Sequence, residues 1–172
     1  MNTICRDAAS VQIRTTLRCG DLGRIVALHG TVYEPLAGFG LRFEAFVAQT
    51  IAEYVLDNDA RGRIWLAEND DELVGCAAIA ERPGNVAQLR WVLVHASLRR
   101  TGLGRTLVND AIDYSVARDF DCIRLETTEG LPASMRLYQQ LGFRTVSSEL
   151  TVLWDGPRTL IRMEKPLRAP SS

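Results

Sequence analysis

One continuous stretch constrains the fold of this chain more than any other. Val86 to Val94 reads as a strand whose end is almost continuously apolar. Arg99-Arg100-Thr101-Gly102-Leu103-Gly104 follows, and Leu103, Leu107, Val108, Ala111, Ile112 and Val116 then recur at helical spacing. Asp121 to Thr127 is a strand again. A strand that feeds a helix and returns to a strand predicts a parallel pair, so the sheet that holds it is mixed once hairpins join it.

The flanking segments supply the rest of the order. Val11 to Leu17 is rich in β-branched residues and predicts a first strand. Leu22, Ile25, Val26, His29, Val32 and Tyr33 mark a helix that Pro35, Gly38 and Gly40 close. Phe43, Phe46, Val47, Thr50, Ile51, Tyr54 and Val55 form the apolar face of a second helix. Arg63 to Glu68 and Glu72 to Ala80 read as a hairpin around Asn69 to Asp71. Pro132 opens a short helix ending near Leu141-Gly142, where its missing N–H costs nothing. Phe143 to Trp154 and Thr159 to Met163 are the last strands, joined at Asp155-Gly156. The order β-α-α-β-β-β-α-β-α-β-β predicts an α/β protein with a mixed sheet flanked by helices. We expect one domain over residues 11–167, with residues 1–10 and 168–172 as loose ends.

Composition narrows the function classes. Among 172 residues, 20 are basic and 21 acidic, and no basic stripe stands out, so a nucleic-acid partner is not expected. The apolar runs are strand-sized, which argues against a membrane span. The first ten residues lack the apolar core of a secretory signal, so a cytoplasmic protein is expected. Cys5, Cys19, Cys76 and Cys122 are scattered, with only His29 and His95 to complement them, so no metal site is expected.

The loop before the third helix has a definite chemistry. Its glycines let backbone approach a ligand closely. The first N–H groups of the helix lie at the positive end of its dipole and suit a phosphate. Arg99, Arg100 and Arg105 add charge-assisted donors, each worth roughly 1.5–3 kcal/mol when well placed. A dinucleotide fingerprint would need glycine where Leu107 stands, and a P-loop would need Gly-Lys-Ser/Thr; neither spacing is present.

The spacing Arg-x-x-Gly-x-Gly behind Val92-Leu93-Val94 resembles that of the GCN5-related N-acetyltransferase family. Leu137-Tyr138-Gln139-Gln140-Leu141-Gly142-Phe143 resembles the same family's Leu-Tyr-x-x-x-Gly-Phe segment. Gly20-Asp21-Leu22-Gly23, His29-Gly30 and Tyr33 are similar to the acetyltransferase half of proteins fused to a MarR-type regulator. Two departures stand out: Ala96 replaces a frequent proline and Leu131 a frequent asparagine. The likeness covers Val11 to Leu167 and implies a centrally splayed sheet.

It also implies the chemistry: transfer of acetyl from acetyl-CoA to a primary amine by direct attack on the thioester. Acetyl-CoA would lie along Val92, Leu93, Val94, Arg99, Arg100, Thr101, Gly102, Leu103, Gly104 and Arg105, with a main-chain N–H near Val94 facing the oxyanion. Tyr138 would be the general acid; the other reading is a core tyrosine beside Leu137 and Leu141. Glu126 stands where some members carry a catalytic glutamate, or it is a surface ion pair with Arg124 on the same strand face. A carboxylate of reference pKa about 4.3 is mismatched to a lysine-like amine at about 10.4, whereas an α-amine near 7.7–8.0 needs far less help. His29 and Tyr33 are pocket residues or core residues of one helix face. Arg90 is either a fork for a substrate carboxylate or an inter-strand ion pair. The expected partner is a small-molecule amine or free amino acid. A protein N-terminus, a lysine, or a non-catalytic acyl-CoA-binding role are the alternatives. The final strands could pair two copies into a homodimer.

Overall fold

The structure, a computed structural model, describes residues 11–57 and 60–168. Of the expected loose ends at 1–10 and 168–172, residues 1–10, with Cys5, and 169–172 lie outside the described residues, while Arg168 pairs with Asp119 at 2.9 Å and Asp121 at 3.3 Å. Among the described residues seven strands form one sheet: β1 (Gln12–Arg14), β2 (Arg63–Asn69), β3 (Glu72–Arg82), β4 (Val86–Val94), β5 (Cys122–Thr128), β6 (Arg144–Leu153) and β7 (Gly156–Pro166). Their spatial order is β1-β2-β3-β4-β5-β7-β6. The helices are α1 (Asp21–Ala37), α2 (Leu41–Leu56), α3 (Leu103–Ala117) and α4 (Pro132–Gln140). The fold is the mixed, helix-flanked α/β sheet that the element order predicts.

The crossover through α3 makes β4 and β5 parallel, as expected, while the other neighbouring pairs run antiparallel. Their pairing runs only from Val86↔Cys122 to Leu89↔Leu125. Beyond it β4 bends. Cys76 pairs with Leu93 and Ala78 with Arg90, so β4 carries one residue more than β3 over that step. Trp91 occupies this bulge with φ 49, a conformation a bulky side chain adopts only when its surroundings enforce it. Its indole N–H reaches the Thr50 hydroxyl at 3.3 Å, and Tyr54 meets its ring edge-on at 5.4 Å. Anchoring to α2 thus holds the strained turn, and β4 and β5 part.

Side-chain alternation splits the core between the two faces. Ala87, Leu89, Ile123 and Leu125 pack with Leu107, Val108, Ala111 and Tyr138 beneath α3 and α4. Ile64, Leu66, Cys76 and Ala78 pack under Ile25, Leu28 and Ile51 of α1 and α2. At the sheet's first edge, Arg14 of β1 grips Asp21 at 2.8 and 2.6 Å and Glu68 of β2 at 2.8 and 3.0 Å. Arg24 joins Glu68 at 2.7 Å, so four charges tie β1, α1 and β2 together.

Several boundaries differ from the sequence expectation. β1 is only three residues long, paired with β2 over Gln12 to Arg14. Pro35 lies inside α1, in the final turn, where only one hydrogen bond is forfeited; Gly38, at φ 64, ends the helix. β7 is far longer than Thr159 to Met163. Arg158, Arg162, Glu164 and Lys165 conceal it, since at this end of the sheet a charged residue costs little. Ala96–Leu98 forms a 3-10 turn, capped by the His95 side chain, which accepts from the Ser97 N–H at 3.2 Å.

Candidate active site

The parting of β4 and β5 opens a cavity of about 220 Å³ that α1, α2 and the start of α4 enclose. Six of the residues singled out in the sequence meet on its wall: His29, Tyr33, Arg90, Val92, Glu126 and Tyr138. They come from both faces of the sheet. Arg90 and Glu126 alternate onto the α1/α2 side, whereas Tyr138 belongs to the core beneath α3 and α4. The cavity is therefore a slot through the sheet.

Each of these side chains has a distinct setting. Tyr138 is 6% exposed, and burial, with Tyr33 nearby, pushes its phenol well above the ordinary value. Burial likewise pushes Tyr33 up to about 12, and its hydroxyl donates to the Val92 carbonyl at 3.2 Å. Glu126 is half-exposed and bonds Arg162 at 2.9 Å, while Arg162 also reaches Glu149 at 2.7 Å. Arg124, the partner expected for Glu126, instead pairs with Glu164. The half-buried Arg90 guanidinium lies over the Trp91 ring at 4.7 Å and makes no hydrogen bond or ion pair within the described residues. Desolvation, with Arg82 acting in the same direction, lowers its pKa against the opposing pull of Glu126 and Glu53.

His29 is 2% exposed, and its Nδ1 lies 2.8 Å from the Ile25 carbonyl, which can only accept. Nδ1 therefore carries the proton and Nε2 the lone pair. Burial lowers its pKa from 6.5 to about 4, so the folded protein holds it neutral. Below pH 6.5 the unfolded chain binds a proton that the folded chain refuses down to about pH 4. Stability from this source is complete above that window and falls as pH drops through it, by about 3 kcal/mol in all. Urea unfolding across that range should show the loss, and His29→Gln should flatten it.

Thr128 escaped the sequence reading. It is 3% exposed, lines the cavity, and its hydroxyl has no hydrogen-bond partner. Its position two residues beyond Glu126, on the same strand face, was the available signal. Trp91, the bulge and the rings of Phe39, Phe43 and Trp154 complete the α1/α2 side of the wall.

The glycine-arginine loop lies beside the slot, at the start of α3. Gly102 takes φ 94, and no side chain caps the helix. The Thr106 N–H is the first to bond back, to Gly102, so the amides of Leu103, Gly104 and Arg105 have no partner within the helix. A Cβ on Gly104 would sit 3.6 Å from Val94 and 3.7 Å from Leu137, so bare backbone there leaves a notch between β4 and α4 that the chain's own packing does not require. Leu93 and Leu103 turn their side chains into the core and can offer only main chain. Arg105 is engaged by Gln140, and the Thr101 hydroxyl by the Leu98 carbonyl at 2.8 Å. Arg99 and Arg100 are exposed. His95 gives its N–H to Val74 on β3, so by alternation the Val94 N–H faces the parting.

Uncapped helix amides, a backbone notch and a slot between parted strands suit an extended phosphate-bearing thioester on one side and a small acceptor on the other. Comparisons with known proteins bear on the family of the chain. The chain is 31% identical over 81 residues to human N-acetylaspartate synthetase, covering 46% of this chain and 27% of that one. It is 31% identical over 84 residues to the uncharacterized N-acetyltransferase YvbK of Bacillus subtilis, covering 49% and 54%. These matches thus span about half of YvbK and less than a third of the synthetase. An acetyltransferase structure from Streptococcus agalactiae aligns with TM-score 0.75 at 23% identity over 91% of this chain and 98% of that one. The spermidine N-acetyltransferase of Vibrio cholerae, in complex with CoA and spermine, aligns at 0.70 and 20% over 92% and 96%. Residues 34–143 match the acetyltransferase (GNAT) family, and the chain belongs to that family.

Proposed function

We propose that the chain is an N-acetyltransferase that moves acetyl from acetyl-CoA to a primary amine, the acceptor being a small amine or a free amino acid. The observation that carries this is the slot, with uncapped α3 amides beside it and an unpartnered guanidinium, Arg90, on its other side. The residues fit the donor: the Gly104 notch leads past Val94 toward the parting, and Arg99 and Arg100 stand exposed at its mouth for phosphate. Acetyl-CoA supplies an acyl group on a good leaving thiolate.

The chain's own groups do the rest. Tyr33, by bonding the Val92 carbonyl, fixes the free edge of β4, and the Val94 N–H beside it is the donor for the developing oxyanion. The amine nitrogen bonds the acetyl carbon as the C–S bond breaks. Tyr138 gives its proton to the departing sulfur, and its raised pKa keeps it protonated until that moment. Glu126 or water takes the proton lost by the ammonium. The likeness of residues 20–33 to the acetyltransferase half of MarR-type fusions belongs to the same proposal, as do a cytoplasmic setting and pairing of two copies.

A panel of amines with free-thiol detection tests the reading. Thiol release is expected with free amino acids or small amines and not with peptides. Turnover of peptides alone would replace it with protein acetylation. No release with any acceptor, alongside a rise in melting temperature on adding acetyl-CoA, would leave only a binding module.

A further inference from the structure

We propose that the acceptor is an α-amino acid with a large apolar, preferably aromatic, side chain. The inference rests on the acetyltransferase reading and concerns the α1/α2 side of the same slot.

Charge decides the first point. Only Arg90 and Glu126 on the cavity wall carry charge, and Arg162 neutralises Glu126. Arg90 makes no ion pair and feels Glu126 and Glu53 only at longer range, so the site favours an anionic group and disfavours a polycation such as a polyamine. The Trp91 ring covers one face of the guanidinium and leaves its in-plane N–H groups to meet a carboxylate as a fork. The buried Thr128 hydroxyl adds a second unused polar group at this end, on the strand face of Glu126. A carboxylate and an amine on one carbon would use both.

The opposite wall has another character. The Phe43 ring lies 4.8 Å from Phe39 and 4.7 Å from Trp154, and Leu153 and Leu160 border them. Arg158 stacks on Phe39 at 4.5 Å but is not part of the cavity lining, so inside the cavity a second carboxylate or an ammonium pushed against these rings would lose its water without gaining a partner. An aromatic side chain would gain stacking and area instead. His29 is held neutral behind Phe43, 6.3 Å away, and adds no charge.

The test compares kcat/KM for L-phenylalanine, phenethylamine, L-aspartate and spermidine. L-phenylalanine should exceed phenethylamine, its analogue without the carboxylate, by about 100-fold. Arg90→Gln should collapse that ratio toward one, and Arg90→Lys, which keeps charge but loses the fork, should retain part of it. Trp154→Ala should lower the preference for phenylalanine over alanine. Equal rates with phenethylamine, or a preference for aspartate or spermidine, would overturn the proposal. Titration calorimetry with L-phenylalanine in the presence of CoA reads the same site without turnover. Binding that Arg90→Gln weakens by a similar factor supports the assignment even if no acceptor is acetylated, and no binding defeats it.

Discussion

Tyr138→Phe is expected to lower kcat by roughly 10²–10⁴-fold while leaving KM for acetyl-CoA nearly unchanged. The phenyl ring keeps the packing: Tyr138 meets Phe143 edge-on at 5.8 Å and is part of the core beneath α3 and α4. What is removed is one proton donor at the slot. Burial raises the pKa of that phenol, which favours its protonated form in the free protein. The variant should therefore lose rate across the whole pH range rather than shift its profile. Single-turnover thiol release against the best acceptor measures this directly. An unchanged rate would make Tyr138 a wall residue and leave protonation of the thiolate to water.

The largest loss of stability is expected far from the chemistry. Asp21 is 2% exposed and binds both nitrogens of Arg14, the Arg18 N–H at 2.6 Å and the Arg24 guanidinium at 3.3 Å. Asp21→Ala leaves the Arg18 N–H and one side of the Arg14 guanidinium without a partner while Glu68 still holds the other side, so it should cost about 1–3 kcal/mol in denaturant unfolding. The Arg14 bond holds the Asp21 carboxyl below its ordinary range, and Glu68 is lowered to about 2 by the same guanidinium and Arg24. The network therefore contributes fully above pH 4.5 and is lost as pH falls toward about 2, mostly below the window in which His29 acts.

Much of this architecture was legible because local pattern and tertiary demand coincide. β4 matches its expected span end for end, since its apolar and β-branched residues run on to Val94 and its glycine-rich successor marks the exit. Tyr138 and Glu126 were placed through a family resemblance, and they do meet in one cavity. Other features arise only when distant segments meet. Nothing in Arg90-Trp91-Val92 announces a bulge; Thr50 and Tyr54, some forty residues upstream, impose it. Glu126 was paired in sequence with Arg124, but neighbours two apart on a strand face are farther from each other than residues directly opposite. Arg162 stands opposite Glu126 in the ladder and takes the bond. Thr128 reads as an ordinary β-branched strand residue, and only its burial without a partner distinguishes it.

The passage through the sheet also governs traffic. In the proposed reaction donor and acceptor would approach the parting of β4 and β5 from opposite faces, as two visitors would use the front and back doors of one room. Neither blocks the other's entrance, so both can be present before any bond changes. A chain built this way has no need to store the acetyl group on itself between visits. Under the same proposal it could change acceptors over evolutionary time by refurnishing one doorway alone.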